Sequence, residues 1–230
     1  MPTRRDIFVK NGIYHIFNRT IDKRAIFIDR GNAQPFLETL YYYRSKKADI
    51  SFSHFKQLKS KIQAIKMATL AYKKHFIVDI LSYCLMPTHF HLLIKQIGDE
   101  KNGIRIFMGN VINSFTRYFN RKMKRKGPLF LPRFQSRLII SDEQLLHVSR
   151  YQHLNPYSSR LIKKISNLGS YPWSSYVYFV EDKTSFLVNT RPILSLLGND
   201  KKKYRAFVND QADYQRSLED LKYIGKWEFD

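Results

Sequence analysis

The sequence is poor in cysteine and in long uncharged stretches. Cys84 is the only cysteine among 230 residues, so no internal disulfide can form. The two longest stretches without a charged residue, 80–94 and 165–180, are interrupted by proline and are shorter than the roughly 20 apolar residues of a membrane-spanning helix. The first residues, MPTRRDIFVK, lack the apolar core of a signal peptide. We therefore expect a cytoplasmic protein with no membrane partner.

Acidic residues are also scarce. The chain has 19 Asp and Glu against 40 Lys and Arg, which gives a formal net charge of +21. Solubility needs far less charge than this, so the excess predicts a polyanionic partner, and nucleic acid is the first candidate. A hydrophobic content of 43% with 15% aromatic residues predicts one substantial folded core.

The shortage of acid is most marked in residues 101–141, which contain no Asp or Glu. Bases of single-stranded nucleic acid stack on aromatic rings while cations contact the phosphates, and this stretch holds both residue types. Its aromatic residues are Phe115, Tyr118, Phe119, Phe130 and Phe134. Its basic residues are Lys101, Arg105, Arg117, Arg121, Lys122, Lys124, Arg125, Lys126, Arg133 and Arg137. The stretch as a whole predicts a nucleic-acid surface, although each residue alone is better explained by a solvated helix face or an aromatic core.

Hydrophobic periodicity predicts an α+β fold. Alternation over 12–20 indicates a strand, and the apolar stripe of 31–47 indicates a helix. Residues 54–75 have helical spacing with a basic outer face, and two strands then flank Pro87 and Thr88. A helix over 103–124 and a strand over 133–141 complete the order β-α-(α)-β-β-α-β. This order is the split βαβ plan of a ferredoxin-like antiparallel sheet with helices on one face.

A further helix is predicted after this sheet. Ser141 is a candidate N-cap, and Pro156 is expected to end the helix near Asn155. His147, Tyr151 and Asn155 are spaced four residues apart, so they share one helix face. Each of the three has an ordinary structural explanation when taken alone.

Two histidines stand in the strand after Pro87, within CLMPTHFHLLIKQ. Alternation in a strand directs His89 and His91 to the same side, and this separation suits two ligands of one metal ion. An isolated His-x-His is more often two polar residues on a partly exposed sheet face. The downstream basic stretch and the capped helix favour the metal site.

Taken together, these motifs resemble a known family. CLMPTHFHLLIKQ, FTRYFNRKMKRKGPLF, DEQLLHVSRYQHLNP and YPWSSY follow one another as in the single-tyrosine HUH transposases, and the REP-associated tyrosine transposases are the most similar branch. The resemblance extends from about 14 to 176. It implies that His89, His91 and Asn155 bind a divalent cation, Mg²⁺ or Mn²⁺, and that Tyr151 attacks a DNA phosphate. His15, Arg19 and His147 are expected near this site in structural or supporting roles.

The resemblance also implies the substrate. We expect single-stranded DNA with a hairpin, cleaved and transferred through a covalent 5′-phosphotyrosine, and a monomer rather than a dimer. The residues predicted to contact DNA are Arg117, Arg121, Lys122, Lys124, Arg125, Lys126, Arg133, Arg137, Tyr118 and Phe119. Their cations predict binding that weakens steeply with salt.

Two alternatives to a strand transferase remain open at this stage. One is a domesticated DNA-binding protein on the same fold that no longer cleaves, and the other is a metal-dependent phosphodiesterase that uses water. For domains, the pattern predicts a catalytic unit over 1–180, in which 48–75 is an inserted basic helix. Residues 181–230 are predicted to be a helical C-terminal extension.

Overall fold

The computed structural model describes residues 7–98 and 102–224. Residues 1–6 of the predicted catalytic unit, Lys101 of the basic stretch and 225–230 of the predicted extension lie outside the described residues. No helix within the described ranges is both long enough and apolar enough to cross a membrane.

Four antiparallel strands form the sheet, in the order β2-β3-β1-β4. The strands are β1 Ile13–Arg19, β2 Val78–Met86, β3 His89–Gln96 and β4 Gln135–Ile139. Strands β2 and β3 form a hairpin whose turn is Pro87 and Thr88, as the sequence predicts. The ferredoxin-like topology is therefore confirmed.

The helices fill the connections of this sheet and most of the chain after it. In chain order they are α1 Arg30–Tyr43, α2 Phe52–Phe55, α3 Ser60–Ala71, α4 Gly103–Lys122, α5 Asp142–Ser158, α6 Tyr176–Val180, α7 Arg191–Leu194, α8 Lys201–Asp210 and α9 Ala212–Ile224. The crossover helices α1 and α4 pack side by side against one face of the sheet. The predicted C-terminal extension is helical in its described part, while the domain boundary at 180 stays a prediction.

The main core lies between the sheet and these two crossover helices. Tyr14 and Ile16 of β1 and Phe90 of β3 are fully buried on this face. The Phe90 ring lies 5.0 Å from that of Phe36 in α1, and Phe36 lies 5.2 Å from Phe115 in α4. We call this side of the sheet the aromatic face. Because side chains alternate along a strand, the residues between these positions are directed to the other face, which α5 covers.

The prediction of one continuous helix over 54–75, with its regularly spaced apolar residues buried, is wrong. The segment is divided into α2, α3 and a 3₁₀ turn at Lys73–His75. Ile62 and Ile65 are 47% and 61% exposed, while Leu70 is buried. Helical spacing places these side chains on one side of a helix, but α3 contacts little of the core, so most of that side remains in solvent.

The predicted end of α5 is also wrong. Ser141 caps its start, because the Ser141 hydroxyl accepts a hydrogen bond from the backbone N–H of Gln144. The helix then continues past Pro156 to Ser158. A proline this close to the last turn removes only one backbone donor, and the carbonyl of Asn155 still accepts from the N–H of Ser159 at 3.0 Å.

Candidate active site

The two histidines of β3 lie on the face of the sheet opposite the aromatic face. The ring centroids of His89 and His91 are 5.1 Å apart and the rings are nearly perpendicular. His89 Nδ1 lies 3.0 Å from the hydroxyl of Thr88, in the hairpin turn. His91 is 7% exposed. The hairpin thus places two imidazoles side by side, as the alternation predicts; their role as metal ligands stays a prediction.

A third imidazole adjoins this pair. His15 of β1 places its Nε2 atom 3.0 Å from His91 Nδ1, and the two rings are stacked with centroids 5.2 Å apart. Burial lowers the pKa of His15 to about 4, and burial followed by the charges of His15 and His89 holds the pKa of His91 well below its ordinary value. Both rings are therefore neutral at pH 7, which is the state in which imidazole binds a metal. The contact with His15 occupies Nδ1 of His91, and such a contact fixes the orientation of an imidazole ring.

Tyr151 reaches these imidazoles from α5. Its ring stands edge-on to His91 with centroids 6.0 Å apart, and edge-on to His15 at 6.5 Å. The backbone carbonyl of Tyr151 accepts a hydrogen bond from Gln215 Nε2 of α9 at 3.0 Å. The position of α5 thus brings Tyr151 against the hairpin, although it lies 60 residues after His91 in sequence.

Asn155 follows Tyr151 by one turn of α5 and is 6% exposed. Its Nδ2 atom is buried and has no hydrogen-bond partner among the described residues, which is costly for an amide unless a ligand satisfies the group. The described ranges contain no group of three or more His, Cys, Asp or Glu side chains placed to hold a metal. A metal site here would accordingly consist of two imidazoles and the Asn155 amide, a mixed nitrogen and oxygen set compatible with Mg²⁺ or Mn²⁺.

His147 does not share the surroundings of Tyr151. Its Nδ1 atom lies 2.7 Å from Arg150 Nη2, and its ring packs against Phe207 of α8. In contrast, the register of β1 with β3 places Arg19 directly opposite His89. The register of β1 with β4 places Arg137 opposite His15. Paired residues in an antiparallel sheet point to the same side, so Arg19 and Arg137 lie on the same face of the sheet as the imidazoles.

A buried polar cluster that was not predicted from the sequence joins α5 to its neighbours. His153 is fully buried; its Nδ1 atom lies 2.7 Å from the Tyr204 hydroxyl and its Nε2 atom 2.9 Å from the Ser175 hydroxyl. Ser175 also accepts the backbone N–H of Tyr83 in β2, and Tyr204 donates to Ser149 of α5. Burial lowers the pKa of His153 to about 3. The motif YPWSSY was a signal for this cluster, because its second serine is the residue that joins α5 to β2.

The prediction that the aromatic residues of the basic stretch stack on bases is wrong for most of them. Phe115, Phe119, Phe130 and Phe134 are at most 8% exposed and belong to the hydrophobic core. Their helical spacing is that of a packed face, and packing leaves no ring surface for a base. Tyr118 is 38% exposed, and its hydroxyl donates to the carbonyl of Gly31.

The predicted cations fall into two groups. Lys122 donates to the carbonyl of Gly31 and to Asn32 Oδ1, and Arg125 donates to Asn120 and to the carbonyl of Pro128, so both have internal partners. Lys122 is nevertheless exposed. The other exposed cations are Arg117, Arg121, Lys124, Lys126, Arg133 and Arg137.

The sheet separates the cations of α4 from Tyr151. Helix α4 packs on the aromatic face, so Arg117 and Arg121 lie on the far side of the sheet from the imidazoles. Arg137 lies on the same face as His15. A DNA strand that contacts both Arg137 and the cations of α4 must therefore pass around an edge or an end of the sheet.

Comparison with known proteins agrees with this fold and these motifs. No protein-family model matches the chain. A curated protein of Haemophilus influenzae described as "Putative REP-associated tyrosine transposase" is 25% identical over 118 residues, covering 46% of this chain and 65% of that protein. A solved structure of a REP-associated tyrosine transposase bound to a REP hairpin aligns with a TM-score of 0.54 and 13% identity, over 82% of this chain and 92% of that one. The chain resembles the REP-associated tyrosine transposases.

This likeness to the REP-associated tyrosine transposases confirms the resemblance that the motifs predict. The structural match shows the fold, because its sequence identity is low. The chain spans just under two thirds of the curated relative, 65% of its length.

Proposed function

We propose that the chain cleaves and rejoins single-stranded DNA, with Tyr151 as the nucleophile. The observation that carries the proposal is the position of the Tyr151 ring, edge-on to the neutral imidazoles of His91 and His15 and on the same face as Arg19 and Arg137. A phenol has a pKa of about 10, so it needs cationic surroundings to act as a nucleophile near pH 7.

The proposed reaction exchanges one phosphodiester bond for another. The Tyr151 oxygen forms a bond to phosphorus, and the bond from phosphorus to the 3′-oxygen of the preceding nucleotide breaks. The proton lost by the phenol balances the one gained by the free 3′-hydroxyl. The product is a 5′-phosphotyrosine that a second 3′-hydroxyl can attack, so strand transfer needs no ATP.

Residues of this chain would position the phosphate and the nucleophile. His89, His91 and the Asn155 amide would hold a divalent cation, Mg²⁺ or Mn²⁺, which when bound would supply Lewis-acid stabilisation of the phosphate charge. His15 would orient His91 through their hydrogen bond, and Arg19 and Arg137 would bind phosphate oxygens beside Tyr151. The buried cluster around His153 would hold α5 at a constant distance from β3.

The substrate that we infer is a strand that can form a hairpin. The solved neighbour is bound to a REP hairpin, and the net charge of +21 suits a polyanion. We expect strands copied from DNA flanking the chain's own gene to contain the site. A monomeric state and a cytoplasmic location remain predictions.

The experiment that tests this function is a denaturing gel of labelled single strands. Wild type and Tyr151→Phe are incubated with the strands in Mg²⁺, Mn²⁺ or EDTA. We expect a metal-dependent band in which the label migrates with wild-type protein, and none with Tyr151→Phe. Tyr157→Phe is the matched control, because Tyr157 lies on the same helix and its hydroxyl donates to Asp213 instead of facing the imidazoles.

Two outcomes would contradict the proposal. Cleavage that persists in Tyr151→Phe would identify a metal-bound water as the nucleophile and Tyr151 as structural. Salt-sensitive binding without cleavage, across hairpin strands from both flanks and with either metal, would identify a DNA-binding protein that does not cut.

A further inference from the structure

A cavity of about 440 Å³ opens beside the start of β2, away from the imidazoles. Asp79 of β2 lines it, whereas Cys84 is the β2 residue that pairs with His91. Five residues of strand separate these positions, which is roughly 17 Å at about 3.3 Å per residue. The cavity is therefore a separate feature from the candidate active site.

The floor of the cavity is a buried cation. Arg44 is 5% exposed, and its guanidinium lies 4.2 Å from the centroid of Tyr41 and 4.1 Å from that of Phe76. One Nη atom donates to the carbonyl of Leu187, while Nε is buried with no hydrogen-bond partner. Arg44 forms no ion pair with any carboxylate in the described part of the chain. The charge of Asp79, which also lines the cavity, favours the charged guanidinium, and an anion that enters the cavity would stabilise it further.

The other charged residues that line the cavity are mostly cations. Asp79 is the acidic residue of the lining; it accepts a hydrogen bond from Asn189 Nδ2 at 2.7 Å, and burial raises its pKa. The cations that line the cavity with Arg44 are Lys73, Lys183, Arg191 and Lys201. Lys183 and Lys201 pair with Glu181 and Asp182 at the rim. Lys73 and Arg191 are exposed and form no ion pair within the described residues, so they can approach a ligand.

An exposed aromatic ring completes the cavity. Phe186 lines it and is 89% exposed, the highest value among the large hydrophobic side chains of the described residues. An exposed ring next to unpaired cations is the arrangement that binds a nucleotide, with the base stacked on the ring and the phosphate on the cations.

We propose that this cavity binds a nucleotide of a single-stranded DNA, with its base on Phe186 and its phosphate on Lys73, Arg191 and Arg44. The inference rests on the proposed DNA-binding function and adds a second contact for the same strand. This contact lies outside residues 101–137, which the sequence singles out as the nucleic-acid surface.

The test measures binding and cross-linking in EDTA with Tyr151→Phe as the parent, so that cleavage plays no part. The probe is a 30-nucleotide deoxythymidine strand carrying one 5-iodo-deoxyuridine. We expect irradiation to cross-link the base to a peptide containing Phe186. We expect Phe186→Ala to weaken binding by at least about fivefold, the effect of losing one stacked base. Arg191→Glu should weaken it further and reduce the salt dependence.

Two control variants test whether the effects are specific to the cavity, or follow from the loss of any exposed ring or any positive charge. Tyr214→Ala removes an aromatic ring that is 62% exposed on α9, and Lys164→Glu reverses an exposed charge outside the cavity. Both should bind the strand as the parent does. Phe186 and Arg191 are exposed, so their variants should keep the parent's melting temperature.

Unchanged affinity in Phe186→Ala, with cross-links only outside 178–191, would overturn the inference. Displacement of the Phe186 cross-link by free deoxythymidine monophosphate, with strand affinity unaffected by Phe186→Ala, would assign the cavity to a mononucleotide and reject the strand. A failure of the proposed function would be seen in a different experiment, because Tyr151-dependent cleavage is measured on other strands and with metal present.

Discussion

The two faces of the sheet are built from the same strands and differ in almost every other respect. On the aromatic face, Phe90 packs among rings of α1 and α4 and is fully buried. On the opposite face, His89 and His91 flank that same phenylalanine and contact polar or ionisable groups. Adjacent residues of one strand thus have different surroundings: one face packs into the hydrophobic core, and the other holds imidazoles among polar and ionisable groups.

The largest expected effect comes from removing a ring from the aromatic face. Phe90→Ala should lower the free energy of unfolding by about 3–5 kcal/mol, because it leaves a cavity among rings that cannot collapse around it. His89→Ala, at the next position, should change it by less than about 1 kcal/mol and should abolish cleavage. Urea unfolding of both variants measures the contrast. Equal losses of stability in the two variants would show that the imidazole face also stabilises the fold.

Acid should destabilise the imidazole face selectively. Burial lowers the pKa of His15 to about 4 in the folded protein, so the unfolded chain binds this proton first as the pH falls below about 6.5. The stabilising contribution is complete above pH 6.5 and is lost between pH 6.5 and about 4. For one such histidine, the loss between pH 7.5 and 5.5 is about 1.4 kcal/mol.

The comparison that isolates this contribution is wild type against His15→Gln, both in EDTA. Unfolding free energies at pH 7.5 and 5.5 should differ less in the variant, by about 1.4 kcal/mol. The lower pH of this comparison, 5.5, lies above the pH range in which ordinary carboxylates titrate. An identical pH dependence in the two proteins would mean that His15 is protonated in the folded state.

The smallest expected effect distinguishes cations on the two sides of the sheet. Arg121→Gln on α4 and Arg137→Gln on β4 should each reduce the slope of log affinity against log salt by about one. Only Arg137→Gln should also slow cleavage at saturating DNA, by about tenfold, because Arg137 lies on the face of Tyr151. Equal slowing by both variants would mean that the strand passes around the sheet during the reaction.

Residues in regular local patterns were predicted well. The alternation in β1 and β3, the short turn at Pro87 and Thr88 and the cap at Ser141 are properties of a few neighbouring residues, and the structure confirms all of them. The metal ligands, the nucleophile, the DNA contacts and the domain division stay predictions. The geometry does bring His89, His91 and Tyr151 together, with His15 beside them.

Features that depend on distant packing were predicted poorly. Phe119 was assigned to DNA because it stands among cations, but it faces the core since α4 packs against α1. Ile62 and Ile65 have helical spacing yet remain exposed, because within the described residues little packs against their side of α3. The cluster of His153, Ser175 and Tyr204 joins residues up to 51 positions apart in sequence. The motif YPWSSY marks Ser175, but a local pattern does not show which distant residues Ser175 contacts.

By itself, the sequence determined the net charge of the chain and the sidedness of each strand. A net charge of +21 is a sum over residues, and a period of two places His89 and His91 on one side whatever they face. The tertiary structure decided what lies opposite that side. Packing of α5 against the sheet brings Tyr151 to the imidazoles, and packing of α4 on the aromatic face carries its cations away from them. The reason is physical: side-chain direction follows from backbone geometry within a few residues, whereas the contact of two elements depends on the burial of whole faces across the chain.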